Sequence, residues 1–438
     1  MSKDYDIVIL GGGWTGLLIA YLAIKKNKSV LILEKENELG GLARTISFEN
    51  HHFDLGGHRI YFSDDENIKL IKELTPYWEH HTRKSAIYYN GEYLDYPPSF
   101  MNLFRLHKIP WYSIITDFIK GLDCDIHKNL ENWILHFYGR TLYNIYFKDY
   151  TEKVWGLSCN QLASKWAEVR IGRISLFQIL KELILKKSNI KENCRKFWYP
   201  SFGMEALIKT LETKIIEGGG TIYKNIKDIK ILKNNNTLDS IAFDLNKITK
   251  NVSSNHFVST IPLSEFINIL DDIPDYIKIE TNKLKFRNII LVGLVINRKF
   301  VTDFHWLYFP QKSLKISRIF EPKNWSSKLS NENETLLCVE MMCQEGDELW
   351  NSDDLLLSRI VTNDLCELKM IVQSEVLNHI VLRIPYAYPI CTNQSESAKV
   401  KILDYCSNYN NLSLAGRQGT FSYLDMEECL DMAKNTIK

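Results

Sequence analysis

Three glycine-rich turns near the start of the chain bring bare backbone to places where a ligand could lie against it. GGGWTG sets Gly11, Gly13 and Gly16 in a GxGxxG frame, ELGGLART sets Gly40 and Gly41 ahead of Arg44, and DLGGHRIYF sets Gly56 and Gly57 before His58. Glycine permits tight turns and lets backbone N–H groups approach phosphate oxygens. The elements around the first turn are the ones such chemistry needs. YDIVIL has strand length, LLIAYLAIKKN has helical spacing, and SVLILE is a second strand ending at Glu34. Strand, glycines, helix, strand and acid in that order bind a dinucleotide, with the pyrophosphate at the helix N-terminus and the acid on a ribose hydroxyl. Three successive points of close approach suit a long ligand, FAD rather than NAD. His58 beside the third turn titrates near neutrality and could track the charge of a redox ring. A core histidine bonded to a backbone carbonyl is the alternative.

The rest of the chain reads as what must frame that ligand. KSAIYYNGEYLDY predicts a hairpin with Asn90-Gly91 at its turn, closed by Pro97-Pro98. NLENWILHFYGRTLYNIYF and SLFQILKELILKK carry helical periodicity. FWYPSFGMEALIKTLETKIIEGGGTIYKN reads as turn, helix, glycine stop and strand. Residues 283–390 are rich in strands, with one helix near 353–373, and LDMEECLDMAKNTIK predicts a helix from Leu424 or Asp425. The expected fold is α/β: a Rossmann-like FAD-binding domain in three pieces (1–98, 194–275 and 393–438), a helical insert (99–193) and a mostly antiparallel β-sheet substrate domain (276–392). Such inserts would meet over the ligand.

Composition excludes some partners. A net charge of +1 gives no footprint for nucleic acid. The nine cysteines are an odd, scattered set without a CxxC pair, which fits a reducing cytosol and buried thiols and offers no metal site. MSKDYDIVIL runs straight into a strand, unlike a signal peptide. The longest clean apolar run, Ile289 to Ile296, is far below the roughly 20 residues of a membrane span.

The second glycine turn with its arginine resembles the FAD signature of the amine oxidase and protoporphyrinogen oxidase superfamily. Along nearly its whole length the chain resembles UDP-galactopyranose mutases and related flavoproteins of sugar and polysaccharide biosynthesis. The blocks that carry this are GGGWTG, LGGLART, DLGGHRIYF, YTEKVWGLSCNQLASKWAEVR, ISRIFEPKNWS, YAYPI and AGRQGTFSYLDMEECLDMA. The resemblance implies a pyranose–furanose interconversion in which N5 of reduced FAD bonds the anomeric carbon while UDP leaves and returns. FAD would contact Gly11, Gly13, Thr15, Gly16, Glu34, Lys35, Gly41, Leu42, Arg44, Gly56, Gly57, His58, Gly416, Arg417, Tyr423 and Leu424. The N-terminus of the last helix would stabilise negative charge on the reduced ring.

The resemblance further implies a nucleotide-sugar substrate, with Arg170 and Arg318 on its diphosphate and Tyr388 and Tyr423 donating hydroxyls. Arg173, about one helical turn from Arg170, could share that role. His58, Arg170 and Arg318 are the catalytic candidates. Tyr143, Tyr146, Phe147, Tyr150 and Trp155 are candidates to stack on the base, and all five are also candidates for plain core packing. NAD(P)H is a candidate reductant. Two departures weaken UDP-galactose itself as the substrate. Glu427 and Glu428 put acids near an anionic ligand unless they turn away, and YPIC replaces the family's YPTP. An FAD oxidoreductase acting on a sugar nucleotide, a lipid-linked sugar or an amine is the alternative. Nothing in the sequence fixes the oligomeric state.

Overall fold

The computed structural model describes residues 3–61, 64–89, 91–96, 111–120, 124–170 and 196–437. Two seven-stranded sheets organise them. The first contains β1 (Tyr5–Leu10), β2 (Val30–Leu33), β9 (Thr221–Tyr223), β10 (Lys227–Asn234), β11 (Thr237–Leu245), β12 (Ile248–Ser259) and β18 (Leu412–Leu414). Its order is β10-β11-β12-β1-β2-β9, with β18 also on β12. The strands β1, β2, β9, β18 and the second half of β12 run parallel, while β10, β11 and the first half of β12 form an antiparallel meander. In register, Leu10 lies beside both Leu33 and Ser259, so Gly11, Glu34 and Thr260 emerge together at the carboxyl edge of the parallel strands. Ligands of open α/β sheets bind at that edge.

The second sheet comprises β6 (Ser85–Tyr89), β7 (Glu92–Asp95), β13 (Phe286–Ile296), β14 (Trp306–Tyr308), β15 (Arg318–Phe320), β16 (Thr335–Cys343) and β17 (Val376–Pro389). Its order is β17-β13-β16-β15-β14-β6-β7, antiparallel except for the parallel pair β14–β6. The predicted hairpin forms as β6 and β7. It lies within residues 1–98, yet it hydrogen-bonds into this second sheet rather than the first. The apolar run expected of a buried strand is β13, buried at every residue. Alternation explains why. Ile289, Leu291 and Val295 face the cluster of Trp133 and Trp325, whereas Ile290, Val292 and Leu294 face Leu357, Val361 and Leu365 of the helix Asp354–Glu367. Two small sheets complete the fold, β3 (Thr45–Phe48) with β4 (His51–Asp54) and β5 (Trp78–Thr82) with β8 (Lys196–Pro200). FWYP is thus a strand rather than a turn.

The helix Leu130–Leu142 breaks at Gly139, whose φ of 76° suits only glycine, and continues through a π turn, Tyr143–Phe147, into the helix Lys148–Trp155. Lys153 ties this run to the second sheet by donating to the carbonyls of Phe309, Gln311 and Ile316. Residues 171–195, including all of SLFQILKELILKK, and the residues Asn90, Pro97 and Pro98 lie outside the described set. No described helix is long and apolar enough to cross a membrane.

Candidate active site

The first glycine turn has the geometry its spacing calls for. Gly11 sits at φ +97°, and a Cβ on Gly16 would lie 2.0 Å from the Gly11 carbonyl, so the helix Trp14–Ile24 can press against β1 only with glycine there. At Gly13 a Cβ would meet nothing closer than 3.9 Å, the Cα of Gly41. The first and second turns therefore face each other across open backbone, joined where Gly40 donates to the Gly12 carbonyl at 2.8 Å. Helix Trp14–Ile24 has no capping side chain and no acid in its first turn, leaving its positive end for an anion. Buried Glu34 accepts from the N–H groups of Gly12 and Glu36 at 2.7 and 2.9 Å, which fixes its carboxylate at the rim. Arg44 donates to the Gly41 carbonyl, bracing the second turn. Gly416, at φ +80°, passes so close to Thr15 that a Cβ would fall 2.9 Å from its hydroxyl. Lys35 is exposed and Leu42 half-buried at the edges of this cradle.

The third turn departs from a strand. It follows β4 as a bend, with Gly56 at φ +109°. A Cβ there would come within 3.8 Å only of the Glu340 carboxylate. At Gly57 the missing side chain makes room for a ring of the protein itself. The Trp306 indole nitrogen would lie 2.3 Å from a Cβ. The ring that fills the space of a Gly57 side chain is thus Trp306. Among the described residues no side chain hydrogen-bonds the buried His58 Nδ1, which stands 4.0 Å from the Asp54 carboxylate. Burial, then the charges of Arg417 and Arg318, lower its pKa to about 3, so the imidazole stays neutral through the physiological range. Asp54 itself accepts from Thr45 and Tyr199 at 2.6 and 2.8 Å, and burial raises it to about 7.

Facing this turn is a wall of cations and phenols. On adjacent strands Tyr308 stands opposite Arg318, and Arg318 opposite Glu340. Arg318 is held by Glu340 in a two-pronged pair and reaches the Tyr388 hydroxyl at 3.5 Å. The rings of Tyr388 and Tyr423 stack with centroids 5.4 Å apart, and the Arg417 guanidinium lies 5.5 and 5.2 Å from them. Burial pushes the Tyr388 phenol up to about 12, so it remains a hydrogen-bond donor. Arg417 spends its Nε on the Leu424 carbonyl, 2.7 Å away, and so clamps the turn between them.

The comparisons with known proteins follow this geometry. A family model described as an NAD(P)-binding Rossmann-like domain matches residues 9–73. The chain is 20% identical to the UDP-galactopyranose mutase of Mycoplasma genitalium across 98% of its own length and 93% of the relative's. It is 32% identical to a probable flavin-containing monoamine oxidase A of Dictyostelium discoideum over 111 residues, 25% of this chain and only 24% of the oxidase. A crystal structure of reduced UDP-galactopyranose mutase superposes with TM-score 0.84 at 18% identity, covering 100% of this chain and 93% of the other. A putative protoporphyrinogen oxidase from Exiguobacterium superposes with TM-score 0.76 at 17% identity, covering 100% and 98%. The fold is shared with these two solved structures across the whole chain.

The cradle fits FAD: paired glycine turns, an uncapped helix, a fixed carboxylate and the buried His58 nitrogen. The last helix forms where the sequence predicts it. It begins at Met426, and Asp425 and Glu428 cap it reciprocally, Asp425 accepting from Glu428 N–H at 3.0 Å and Glu428 from Asp425 N–H at 2.7 Å. The cap engages two of the N–H groups at this terminus, and Glu427 adds another acid to the first turn. The same bond answers the question raised by Glu428, which folds back onto its own helix. Arg170 ends the helix Lys165–Arg170, but its side chain, like all of Arg173, lies outside the described residues. Tyr143 and Trp155 are buried in the core, Phe147 packs on Tyr138, and Tyr146 is half-buried against the same cluster. Two of the five candidates neighbour the wall: Tyr150, 5.7 Å from Tyr308, and Trp155, 6.3 and 6.2 Å from Tyr388 and Tyr423; burial pushes the Tyr150 phenol up against the pull of Arg318. Sequence reasoning missed Glu340, Trp306 and Tyr308. Glu340 had a signal: it is the single acid in the apolar strand TLLCVEMMC, and a buried charge requires a partner.

Proposed function

We propose that this protein is a flavin-dependent sugar-nucleotide mutase that interconverts the pyranose and furanose forms of a UDP-sugar or a related nucleotide sugar. The observation that carries the reading is the convergence of Arg318, Arg417, Tyr388 and Tyr423 on the third glycine turn, a cationic, hydroxyl-donating wall that suits an anionic substrate. The likeness to mutases over nearly the whole chain supports it. FAD, when bound and reduced, supplies an electron-rich ring. Gly11, Gly13, Gly16, Gly41 and Glu34 would hold its nucleotide part, and Gly56, His58 and Gly416 its ring end. Neutral His58 offers a nitrogen that adds no charge beside that ring. Arg318 and the two tyrosines would orient the diphosphate and stabilise its charge as it departs, with Arg170 as a further cation. The buried aromatic surroundings would exclude water from the cleaved sugar.

The test is to reduce the enzyme anaerobically, supply UDP-galactose and other nucleotide sugars, and separate the products by chromatography. A furanose product establishes the mutase. Bleaching of the oxidised flavin by a substrate, with no furanose formed, establishes an oxidoreductase instead.

A further inference from the structure

Two guanidinia lie beyond the wall just described. Arg59 follows His58 and covers the rings of Tyr61 and Trp306 at 4.6 and 4.7 Å. Arg83 covers Tyr96 and the same Trp306 at 4.9 and 5.9 Å. Both are half-buried, and among the described residues no carboxylate pairs with either. Arg83 donates to the hydroxyls of Ser85 and Tyr308 at 3.0 and 3.5 Å. Arg59 makes no hydrogen bond among the described residues. Each cation repels the other, and burial together with Arg83 weakens the hold of Arg59 on its protons. Like charges held close above one aromatic ring would gain from an anion placed between them.

Their place in the fold is continuous with the wall. Trp306 and Tyr308 belong to one strand, Tyr308 stands opposite Arg318, and Tyr96 packs on Tyr308 at 4.7 Å. Arg318 is paired with Glu340, whereas among the described residues no carboxylate is paired with Arg59 or Arg83.

We propose that Arg59 and Arg83, floored by Trp306, form an anion subsite that receives an oxyanion group of the substrate, a phosphate or a carboxylate. This rests on the nucleotide-sugar reading for the ligand's class, but it is scored by binding alone, so either can fail without the other. Paired guanidinia present parallel N–H donors to both kinds of oxyanion.

The experiment titrates the FAD-loaded enzyme with UDP, inorganic pyrophosphate and glucuronate, by calorimetry and by flavin absorbance. Arg59→Gln and Arg83→Gln are expected to weaken binding roughly tenfold or more with flavin content unchanged. Loss confined to UDP and pyrophosphate assigns a phosphate, and loss confined to glucuronate assigns a carboxylate. Affinities within about twofold of the parent for all three probes would overturn the subsite, as would failure of every probe to bind the parent. Loss of flavin with anion affinity kept would overturn it too, since the cations would then serve the cofactor. Phenylglyoxal labelling of the unmodified protein, mapped by peptide mass spectrometry, reads the same contact without a variant. Pyrophosphate or glucuronate should protect Arg59, and equal labelling with and without them counts against the proposal.

Discussion

Arg318 and Glu340 stand directly opposite each other on β15 and β16, joined by two parallel bonds of 2.8 and 2.7 Å in an interior where Glu340 is fully buried. The pair is a scaffold as well as a charge. Removing one partner of a buried pair strands the other, which costs about 3–5 kcal/mol. Glu340→Ala should therefore lose about that much stability in chemical denaturation. A double variant in which leucine replaces Glu340 and methionine replaces Arg318 should lose less, despite carrying two changes.

Gly16→Ala places a methyl where the Gly11 carbonyl already lies, 2.0 Å away. The helix must move off β1, and the dinucleotide turn opens with it. Protein purified with this change should carry a small fraction of the parent's flavin per chain while keeping its far-ultraviolet circular dichroism. Full flavin occupancy would show that close packing at Gly16 is dispensable.

Gly57→Ala tests what the third turn makes room for. The added Cβ would fall 2.3 Å from the indole of Trp306. Overpacking of this kind costs about 1–3 kcal/mol. The midpoint of thermal unfolding should drop, and tryptophan emission should shift as the indole is displaced. Combining it with Trp306→Phe should recover part of the stability.

His58→Ala removes the neutral imidazole from the turn while leaving both glycine turns of the cradle intact. Flavin content should stay near that of the parent, and turnover should fall by about a hundredfold, the effect of losing one group placed against developing charge. Unchanged turnover would remove His58 from the reacting centre.

Asp54 and His58 titrate against each other in the folding equilibrium. Burial raises Asp54 from 3.8 to about 7, so the native state keeps a proton that the unfolded chain has released. That group makes folding less favourable as pH rises from about 4 to about 7. His58 is lowered from 6.5 to about 3, so the unfolded chain takes up a proton that the native state refuses, and stability is lost as pH falls from about 6.5 towards 3. Asp54→Asn cancels only the first effect. Its melting temperature relative to the parent should climb between about pH 4 and pH 7 and level off above. A flat or falling difference across that window would contradict the raised carboxyl.

The nucleotide cradle was legible because its signal is local: glycines, strand, helix and acid follow one another along the chain. Glu340 and Trp306 were not, because their roles arise from register. Nothing near Gly57 in sequence announces that an indole from β14 will fill its space, and the partner of Arg318 is set by the pairing of β15 with β16. The capping of the last helix was readable, since Asp425 and Glu428 stand at the spacing of a reciprocal cap. The hairpin formed as expected but joined the second sheet, because the partner that decides its place, β14, lies more than 200 residues later.

Trp14, at the start of the dinucleotide helix, donates to the carbonyl of Met426, 412 positions along the chain, and β18 adds to the parallel sheet beside β12. The glycine fingerprint leaves the ribosome about 400 residues ahead of the segment that walls it in, so the cradle closes only once that segment has been made. A nascent chain stalled before residue 412 would display the fingerprint with nothing to shut the cofactor in, and its apolar helix Trp14–Ile24 would remain a client for chaperones until then.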